Sequence, residues 1–551
     1  MSANRQTLKG KMDTGRRKQQ QAALPLVILL LAALLLQACA GGPAPTTPPA
    51  VETGAAVPET GNESEQPGEA AGPTTGQEDN VFRVAMQPIV QTAPALISSD
   101  SEVLVANHVY DYLVDIDPQS NLIPRLATDW QVSDDGLTYT FQLAEGVTFH
   151  DGSPFSAEDV VWTFERLRDP ANGFATQSLY ANIASIEATS DLEVTFPLNE
   201  PNPFFLYDLS DNHALILKAG TADPSGFNGT GPFMVSDYRP EDRIIMQANP
   251  DYFIAGQPAL DGLEIIFFAD ETAAVDALRS GQVDLAMRMS TALFESLMNE
   301  PGITTVEVPT NGFDLIRLRA DTEPGNDPRV IQALKLSTDR QAIFMLVQQG
   351  YGAVGRDSPI GPLYASYYTE ETPLPERDVE AARQLLAEAG YEDGLQFDLH
   401  TPDTGNRPDL AVVIQEQWAA AGIDVNVIVE PESVYYGDDG WLEVQLGITG
   451  WGSRPYPQFY LDVMLACDAI WNEAHFCDEE LDQLIQTAGT TLDEEERAAA
   501  YAEIQRILIE RGPVIIPYFF AQFAAIDSRY QNFELKAFAG RTDFRELTLA
   551  P

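Results

Sequence analysis

Residues Leu126–Asp169, LATDWQVSDDGLTYTFQLAEGVTFHDGSPFSAEDVVWTFERLRD, constrain the fold more than any other part of the chain. β-Favouring residues stand on both sides of the acidic turn at Gly136, a pattern typical of two paired strands. His150-Asp151-Gly152 predicts a further tight turn. Ser156, followed three residues later by Asp159, has the spacing of a capping box, so a helix should begin there. We therefore expect a strand pair followed by a well-capped helix.

Strand-like and helix-like segments alternate through much of the chain that follows. The run LEIIFFAD precedes the helical pattern ETAAVDALRSG, and the short apolar run VDLAM comes next. Such a β-α-β rhythm indicates an α/β fold with a mostly parallel sheet covered by helices. The 551 residues are enough to form two or three large lobes with their own cores.

The charge balance excludes one class of partner. The chain carries 83 acidic and 32 basic residues, for a formal net charge of −51. Phosphate binding needs a basic surface, so nucleic acid is not an expected partner. Such acidity suits a surface that faces salt or low pH, and a compositional bias of the lineage explains it equally well. It therefore supports no functional conclusion.

The first 80 residues predict an export signal and a tether. The apolar run Ala22–Leu36 is short for a membrane-spanning helix and has the length of a signal-peptide core, so residues 1–38 are predicted as a signal peptide. Ala38 before Cys39 resembles a bacterial lipobox, which implies lipidation of Cys39. The alternative is an uncleaved single-span anchor, and both place the body outside the cytoplasm. Residues 39–80 are rich in Pro, Thr, Gly and Glu and predict a disordered tether.

Three segments carry a family resemblance. Leu126–Asp169, Gly229–Phe253 and Ala277–Ala286 are similar to the family 5 extracellular solute-binding proteins, the peptide- and nickel-type binding components of ABC importers. The resemblance implies a bilobal periplasmic-binding-protein-like α/β fold of type II. The implied parts are lobe I at 81–325 with an extra subdomain at about 116–228, lobe II at 326–522, and a C-terminal return to lobe I at 523–551.

The best candidate for ligand contact is the segment GWGSRPYPQFY, which follows a predicted strand. Trp451 offers a large flat surface, Arg454 offers a planar donor fork suited to a carboxylate, and Tyr456 lies beside them. Many peptide-binding relatives have an Asp after the corresponding Trp that holds the amine of the peptide. This chain has no acid there, so the pattern does not predict recognition of a free amine through such an Asp and instead favours an anionic or carboxylate group of the ligand. The alternative is that Arg454 pairs with a surface acid.

Further candidates for the cleft between the lobes are aromatic, amide or charged residues near strand ends and loops. Each has a structural alternative, either core packing or a salt bridge. Arg319 lies two residues after Arg317 on a predicted strand, so both side chains should lie on the same face of that strand. Tyr435 lies in what we interpret as a polar loop. The candidates are Asn107, Tyr110, Arg319, Tyr435, Trp471 and Asn472.

The cysteines predict one disulfide. If Cys39 carries a lipid, Cys467 and Cys477 remain as a pair in an oxidising compartment and should close the loop between them. A metal site at this pair is not expected, because only His475 is near and a fourth ligand is not evident.

The function that the resemblance implies is substrate binding for an ABC importer, with capture of a small organic solute, most simply a short peptide, by lobe closure. Expected partners are the ligand, the permease and ATPase subunits and the membrane, with the protein itself a monomer. The alternatives are a nickel chelate, an oligosaccharide or an opine-like ligand, or a surface receptor or adhesin. No cofactor or metal is expected. An enzyme is not expected either, because the chain has no HExxH, GxSxG, P-loop or GxGxxG motif in the right context.

Overall fold

The structure, a computed structural model, describes residues 80–437 and 440–550. The predicted signal peptide, the lipidation site Cys39 and nearly all of the predicted tether lie outside these residues. Within them, no helix is long and apolar enough to cross a bilayer.

Most strands are short, and two of them are much longer than the rest. The strands are β1 (Val81–Met86), β2 (Val114–Ile116), β3 (Leu122–Pro124), β4 (Ala127–Val132), β5 (Thr138–Leu143), β6 (Glu187–Ser190), β7 (Glu193–Pro197), β8 (Phe233–Arg239), β9 (Arg243–Ala248), β10 (Gly262–Phe267), β11 (Leu285–Met287), β12 (Ile303–Leu318), β13 (Ala353–Val354), β14 (Leu395–Pro402), β15 (Ile423–Glu430), β16 (Leu446–Trp451), β17 (Val514–Asp527), β18 (Tyr530–Gln531) and β19 (Thr548–Leu549).

The α-helices range from single turns to five turns. They are α1 (Asp100–Val109), α2 (Ala157–Arg168), α3 (Phe205–Asp208), α4 (Glu271–Arg279), α5 (Thr291–Leu297), α6 (Pro328–Ser337), α7 (Arg340–Val347), α8 (Val379–Glu388), α9 (Arg407–Ala419), α10 (Glu432–Tyr435), α11 (Gln458–Tyr460), α12 (Glu479–Thr490) and α13 (Glu494–Arg511).

One large sheet runs through the molecule in the order β15-β14-β16-β12-β17-β11-β1-β10-β9-β8, with β13 beside β17. β14 pairs in parallel with β15 and β16, and β1 pairs in parallel with β10 and β11. The other pairings in this sheet are antiparallel. The expectation of a mostly parallel sheet was wrong, because the β8–β9 hairpin and the long strands β12 and β17 add antiparallel neighbours.

The two long strands join the two ends of this sheet. Residues 303–309 of β12 pair with residues 521–527 of β17, and residues 313–317 pair with 514–519, with a register shift between Pro309 and Phe313. The hydroxyl of Thr310 donates to the Phe520 carbonyl at 2.7 Å at this shift. Gly312 is required there, since a Cβ atom on it would lie 2.5 Å from the Phe520 ring.

Separate hydrophobic cores lie on either side of the register shift. One core draws its residues from 82–287 and 524–547, and a second is built from residues 316–518. A smaller sheet in the order β4-β5-β7-β6 shares the first core. The chain therefore crosses between its two main cores through the middle of β12 and β17.

The segment Leu126–Asp169 folds as its sequence predicts. β4 and β5 form the strand pair, Gly136 takes a positive φ of 68° in the turn between them, and α2 follows. Ser156 and Asp159 form the predicted capping box. The Asp159 carboxylate also accepts the Ala219 N–H at 2.8 Å and pairs with Lys218 at 3.1 Å, so the cap of α2 also holds a distant loop.

Asp159→Ala is expected to lower the free energy of unfolding by about 2–4 kcal/mol, because it removes a helix cap and leaves the Ala219 N–H and Lys218 without their acceptor. Urea unfolding followed by circular dichroism measures this. The exposed neighbour Glu158 provides the control, and Glu158→Ala should change the free energy by less than about 0.5 kcal/mol. Equal effects of the two substitutions would contradict this role of Asp159.

Candidate functional site

A cavity of about 300 Å³ lies where residues 98–288, residues 452–459 and the C-terminal residues 520–541 meet. Arg454 and Tyr456 of the predicted site line it. Its walls also contain Asp211, Arg288 and Phe459, which sequence reasoning did not single out as contacts. The cavity is therefore built by parts of the chain that are hundreds of residues apart.

Strand β16 delivers the predicted site segment to this cavity. β16 ends at Trp451, which lies opposite Phe313 of β12, so the residues that follow leave the sheet beside the register shift. The Ser453 hydroxyl accepts the Asn311 N–H at 3.0 Å and ties this turn to β12. Gly452 lines the cavity, and a Cβ atom on it would meet no atom within 4 Å.

Arg454 is a half-buried cation in the cavity wall. Its guanidinium lies 4.4 Å from the centre of the Phe459 ring, a cation–π contact. Its backbone carbonyl accepts the Tyr364 hydroxyl at 2.7 Å, which positions the residue. Within residues 80–437 and 440–550, no carboxylate forms a salt bridge with Arg454, so the alternative that it pairs with a surface acid finds no support there.

Asp211 and His213 form an ion pair at the same cavity. Nδ1 of His213 lies 2.6 Å from Oδ1 of Asp211, and its Nε2 lies 2.8 Å from the Ile97 carbonyl. Both ring nitrogens therefore face acceptors when Asp211 is ionised, an arrangement that is satisfied by the doubly protonated imidazolium. Burial would lower the pKa of His213, but Asp211 and the Ile97 carbonyl raise the pKa above its usual value. Burial would likewise raise the pKa of Asp211, but His213 brings that pKa down to about 2.

Tyr456 links the two sides of the cavity. Its hydroxyl donates to Oδ1 of Asp208 at 2.5 Å, and its ring stacks on Phe204 with 5.0 Å between ring centres. The other oxygen of Asp208 accepts the Asn202 amide at 2.7 Å. Asp208 is only 5% exposed. Its burial raises its pKa to about 7, although the hydrogen bonds from Tyr456 and Asn202 act to lower the pKa. The contact between the two sides is thus made by a carboxyl group that titrates near neutral pH.

Trp451 does not line this cavity. It is 9% exposed, its N–H donates to Glu473 at 3.2 Å, and its ring lies edge-on to Trp471 at 5.9 Å. Glu473 also accepts from Arg317 at 3.2 Å and from Thr449 at 2.6 Å. Trp451 and Trp471 therefore belong to a buried cluster behind the cavity wall, centred on a carboxylate that sequence reasoning missed.

The loop that carries Glu473 is closed by the predicted disulfide between Cys467 and Cys477. The side chain of Asn472 is used inside this loop, where its amide donates to the carbonyls of Ala466 and Phe476 at 3.2 and 2.7 Å. His475 contacts the Leu442 carbonyl at 2.9 Å. No group of three metal-ligating side chains occurs in the part of the chain that the structure describes.

The remaining candidates lie away from the cavity. Arg319 pairs with Asp321 and Glu443 at 2.7 and 3.0 Å. Tyr435 lies in helix α10 instead of a polar loop; it is fully buried, and its hydroxyl bonds to Thr449 at 3.0 Å. Asn107 and Tyr110, at the end of α1, are 0% and 1% exposed. Whether any of them contacts a ligand stays a prediction.

A second cavity of about 540 Å³ adjoins the first and shares Arg288, Phe520 and Gln522 with it. Its wall includes Arg407, which pairs with Asp314 at 3.2 Å. The two cavities lie along the register shift of β12 and β17. Together they form a cleft between the two main cores.

Comparison with known proteins decides the family. Residues 121–472 match the family described as bacterial extracellular solute-binding proteins, family 5. The chain belongs to this family. Di/tripeptide-binding protein 2 of Pseudomonas aeruginosa is 31% identical over 449 residues, which make up 74% of this chain and 83% of that protein. Heme-binding protein A of Haemophilus influenzae is 29% identical over 490 residues, 82% and 89% of the two chains.

A solved structure of the family shares the fold. The ABC transporter-associated periplasmic binding protein DppA from Helicobacter pylori, in complex with the peptide STSA, matches with a TM-score of 0.73 and 26% identity over 86% of this chain and 98% of that one. The predicted bilobal α/β fold of the periplasmic binding proteins is confirmed. The cleft between the two cores is therefore a cleft between lobes.

Asp208→Asn tests the link across this cleft. Because the folded pKa of about 7 lies above the ordinary value of 3.8, the contribution of Asp208 to stability is greatest below pH 3.8 and is lost as the pH rises to 7. The variant should therefore gain stability relative to the wild-type protein between pH 4.5 and pH 8, by about 2–4 kcal/mol. Asparagine can retain both hydrogen bonds, since the Tyr456 hydroxyl can accept as well as donate.

Urea unfolding of both proteins at the two pH values provides the measurement. The control is Asp251→Asn at an exposed carboxylate. If the difference between Asp208→Asn and the wild-type protein is the same at pH 4.5 and pH 8, the assignment is wrong.

Proposed function

We propose that this protein is the substrate-binding component of an ABC importer and captures short peptides between its lobes. The observation that carries the proposal is one part of the cleft, the cavity of about 300 Å³, whose wall contains Arg454, an arginine without a salt bridge to a carboxylate among the described residues. Its size lies at the lower end of the range of small-molecule sites, roughly 300–1,000 Å³. The di/tripeptide-binding relative and the peptide complex of the solved relative support the choice of ligand.

The mechanism is capture by hinge motion. We assign lobe I to 81–325 with an extra subdomain at about 116–228, lobe II to 326–522, and the C-terminal return to 523–551. The register shift between Pro309 and Phe313 supports this division, because there the paired long strands pass from one core to the other. Rotation at these strands would open the cleft, and contacts such as Tyr456 to Asp208 would close it.

The site chemistry of this proposal is recognition. Arg454 presents its guanidinium to a ligand carboxylate, and the stacked Phe459 ring limits the orientations that the guanidinium can take. Tyr456 closes the wall beside it. The relatives are solute-binding proteins, which supports binding without turnover.

The cellular location of the protein is part of the same proposal. The family is described as extracellular, which supports a place outside the cytoplasm. A lipid on Cys39 would hold the protein at the membrane, where it would deliver its ligand to the permease, the partner of the ATPase subunits in the importer. One copy of the chain contains the whole cleft, which supports a monomer as the working unit.

Arg454→Ala is expected to weaken the binding of a random tripeptide pool by about 1.5–3 kcal/mol, because it removes a charge-assisted hydrogen bond. Native mass spectrometry of the protein with the pool, after removal of any ligand that co-purifies, measures this. Arg239→Ala, at an exposed arginine of β8, is the control and should not change binding. Failure of the wild-type protein to retain any peptide would reject the proposed ligand.

Gly452→Leu tests the position of the site without removing a charge. The position has open space toward the cavity, so the leucine should occupy the ligand volume while the unfolding temperature stays within a few degrees of the wild-type value. Peptide binding should fall by tenfold or more, about 1.4 kcal/mol. Unchanged binding in both Arg454→Ala and Gly452→Leu would place the ligand elsewhere.

Cys39→Ser is expected to release the protein from the membrane fraction, because the lipid could no longer be attached. Fractionation of cells that express the variant, followed by immunoblotting, measures this. The double variant Cys467→Ser with Cys477→Ser keeps Cys39 and should remain at the membrane. A fully membrane-bound Cys39→Ser protein would instead favour an uncleaved apolar span.

A further inference from the structure

The charged residues that line the cavity differ in whether they form a salt bridge. Two aspartates and three arginines line it: Asp100, Asp211, Arg288, Arg454 and Arg541. Asp100 pairs with Arg288 at 2.8 Å, and Arg541 pairs from behind with the buried Asp115. Asp211 pairs with the imidazolium of His213 at 2.6 Å. Arg454 is thus the one charge of this wall that forms no salt bridge among the described residues, although its positive charge helps to hold the pKa of Asp211 down.

Whether the cavity can bind a ligand ammonium depends on whether the carboxylate of Asp211 is already paired with a cation. A carboxylate alone in a cavity would favour a ligand ammonium, but here a cation already occupies Oδ1, and both ring nitrogens of His213 face acceptors. A ligand ammonium would therefore lose its water and meet an ion pair of no net charge together with the cation Arg454. The segment after Trp451, where relatives place an acid for the ligand amine, has none here. Among the described residues, both carboxylates of this cavity wall already have a cation, while Glu271 in the wall of the adjoining cavity accepts the Ser290 N–H.

We infer that this cavity selects ligands by a carboxylate bound to Arg454 and does not recognise a free amino terminus, so that short peptides with an acylated amino terminus are ligands as good as, or better than, free peptides. The inference rests on the proposed function and adds the chemical class of ligand. An acyl group removes the ammonium for which this wall has no free carboxylate, and the ligand carboxylate supplies the salt-bridge partner that Arg454 lacks. In this account His213 is a specificity residue, because its proton keeps Asp211 from acting as an amine acceptor.

The test compares random tripeptide pools in three forms: unmodified, N-acetylated and C-amidated. Binding to the full-length protein is measured by native mass spectrometry and by isothermal titration. N-acetylation should leave the affinity unchanged within about threefold or increase it, and C-amidation should weaken it by about 10–100-fold, the effect of losing a charge-assisted hydrogen bond. These comparisons use the wild-type protein, so they do not depend on the folding of a variant.

Two variants separate the roles of the ion pair. His213→Gln leaves Asp211 without its cation, while the glutamine amide can still donate to it, so the ratio of unmodified to acetylated binding should rise by about tenfold or more. Asp211→Asn keeps an acceptor for the backbone N–H of His213 and should leave the preference of the wild-type protein in place.

Each outcome distinguishes the two proposals. If acetylation weakens binding tenfold or more, or if Asp211→Asn selectively weakens the unmodified pool, the amine is recognised and this inference is overturned while peptide capture stands. If none of the three pools binds, the proposed function fails and this inference fails with it. Binding that amidation leaves unchanged would reject Arg454 as the carboxylate anchor.

Discussion

The antiparallel pairing of β12 with β17 is the interaction on which the rest of the structure depends. Strands of 16 and 14 residues hold two cores together, and their register shift at Pro309–Phe313 gives the pair a local break instead of a continuous ladder. The break matters because a regular ladder would resist rotation between the cores. The turn after Trp451 takes its position from this strand pair through the pairing of Trp451 with Phe313 and the hydrogen bond from the Asn311 N–H to Ser453.

The cleft combines a structural shell with a small set of exposed groups. Glu473, buried behind the wall, holds Trp451, Arg317 and Thr449, and its loop is closed by the disulfide. That shell positions the turn from which Arg454 and Tyr456 reach the cavity. A buried carboxylate is costly unless it is fully hydrogen-bonded, and here three donors satisfy it. Trp451 and Trp471 therefore serve the shell, whereas Arg454 and Tyr456 line the cavity.

Local signals predicted the local structure well. The Ser156–Asp159 capping box, the turn at Gly136 and the disulfide are all present. Their determinants lie within a few residues of one another, or in a pair of cysteines left by elimination. The parallel character of the sheet could not be predicted in the same way, because strand direction depends on which distant strands become neighbours. The prediction that Tyr435 lies in a polar loop was wrong for a related reason, because its hydroxyl comes within hydrogen-bonding distance of Thr449 only in the folded chain.

The sequence by itself determined the family, the α/β character, the export signal as a prediction, and the segment that carries Arg454 and Tyr456. Those features depend on residue order over short windows. Only the tertiary structure decided that Asp211, paired with His213, lines the cavity, that Arg288 and Arg541 already have partners, and that Trp451 turns toward Glu473. Whether a charge is available to a ligand depends on what neutralises it, and that neighbour is chosen by folding across hundreds of residues.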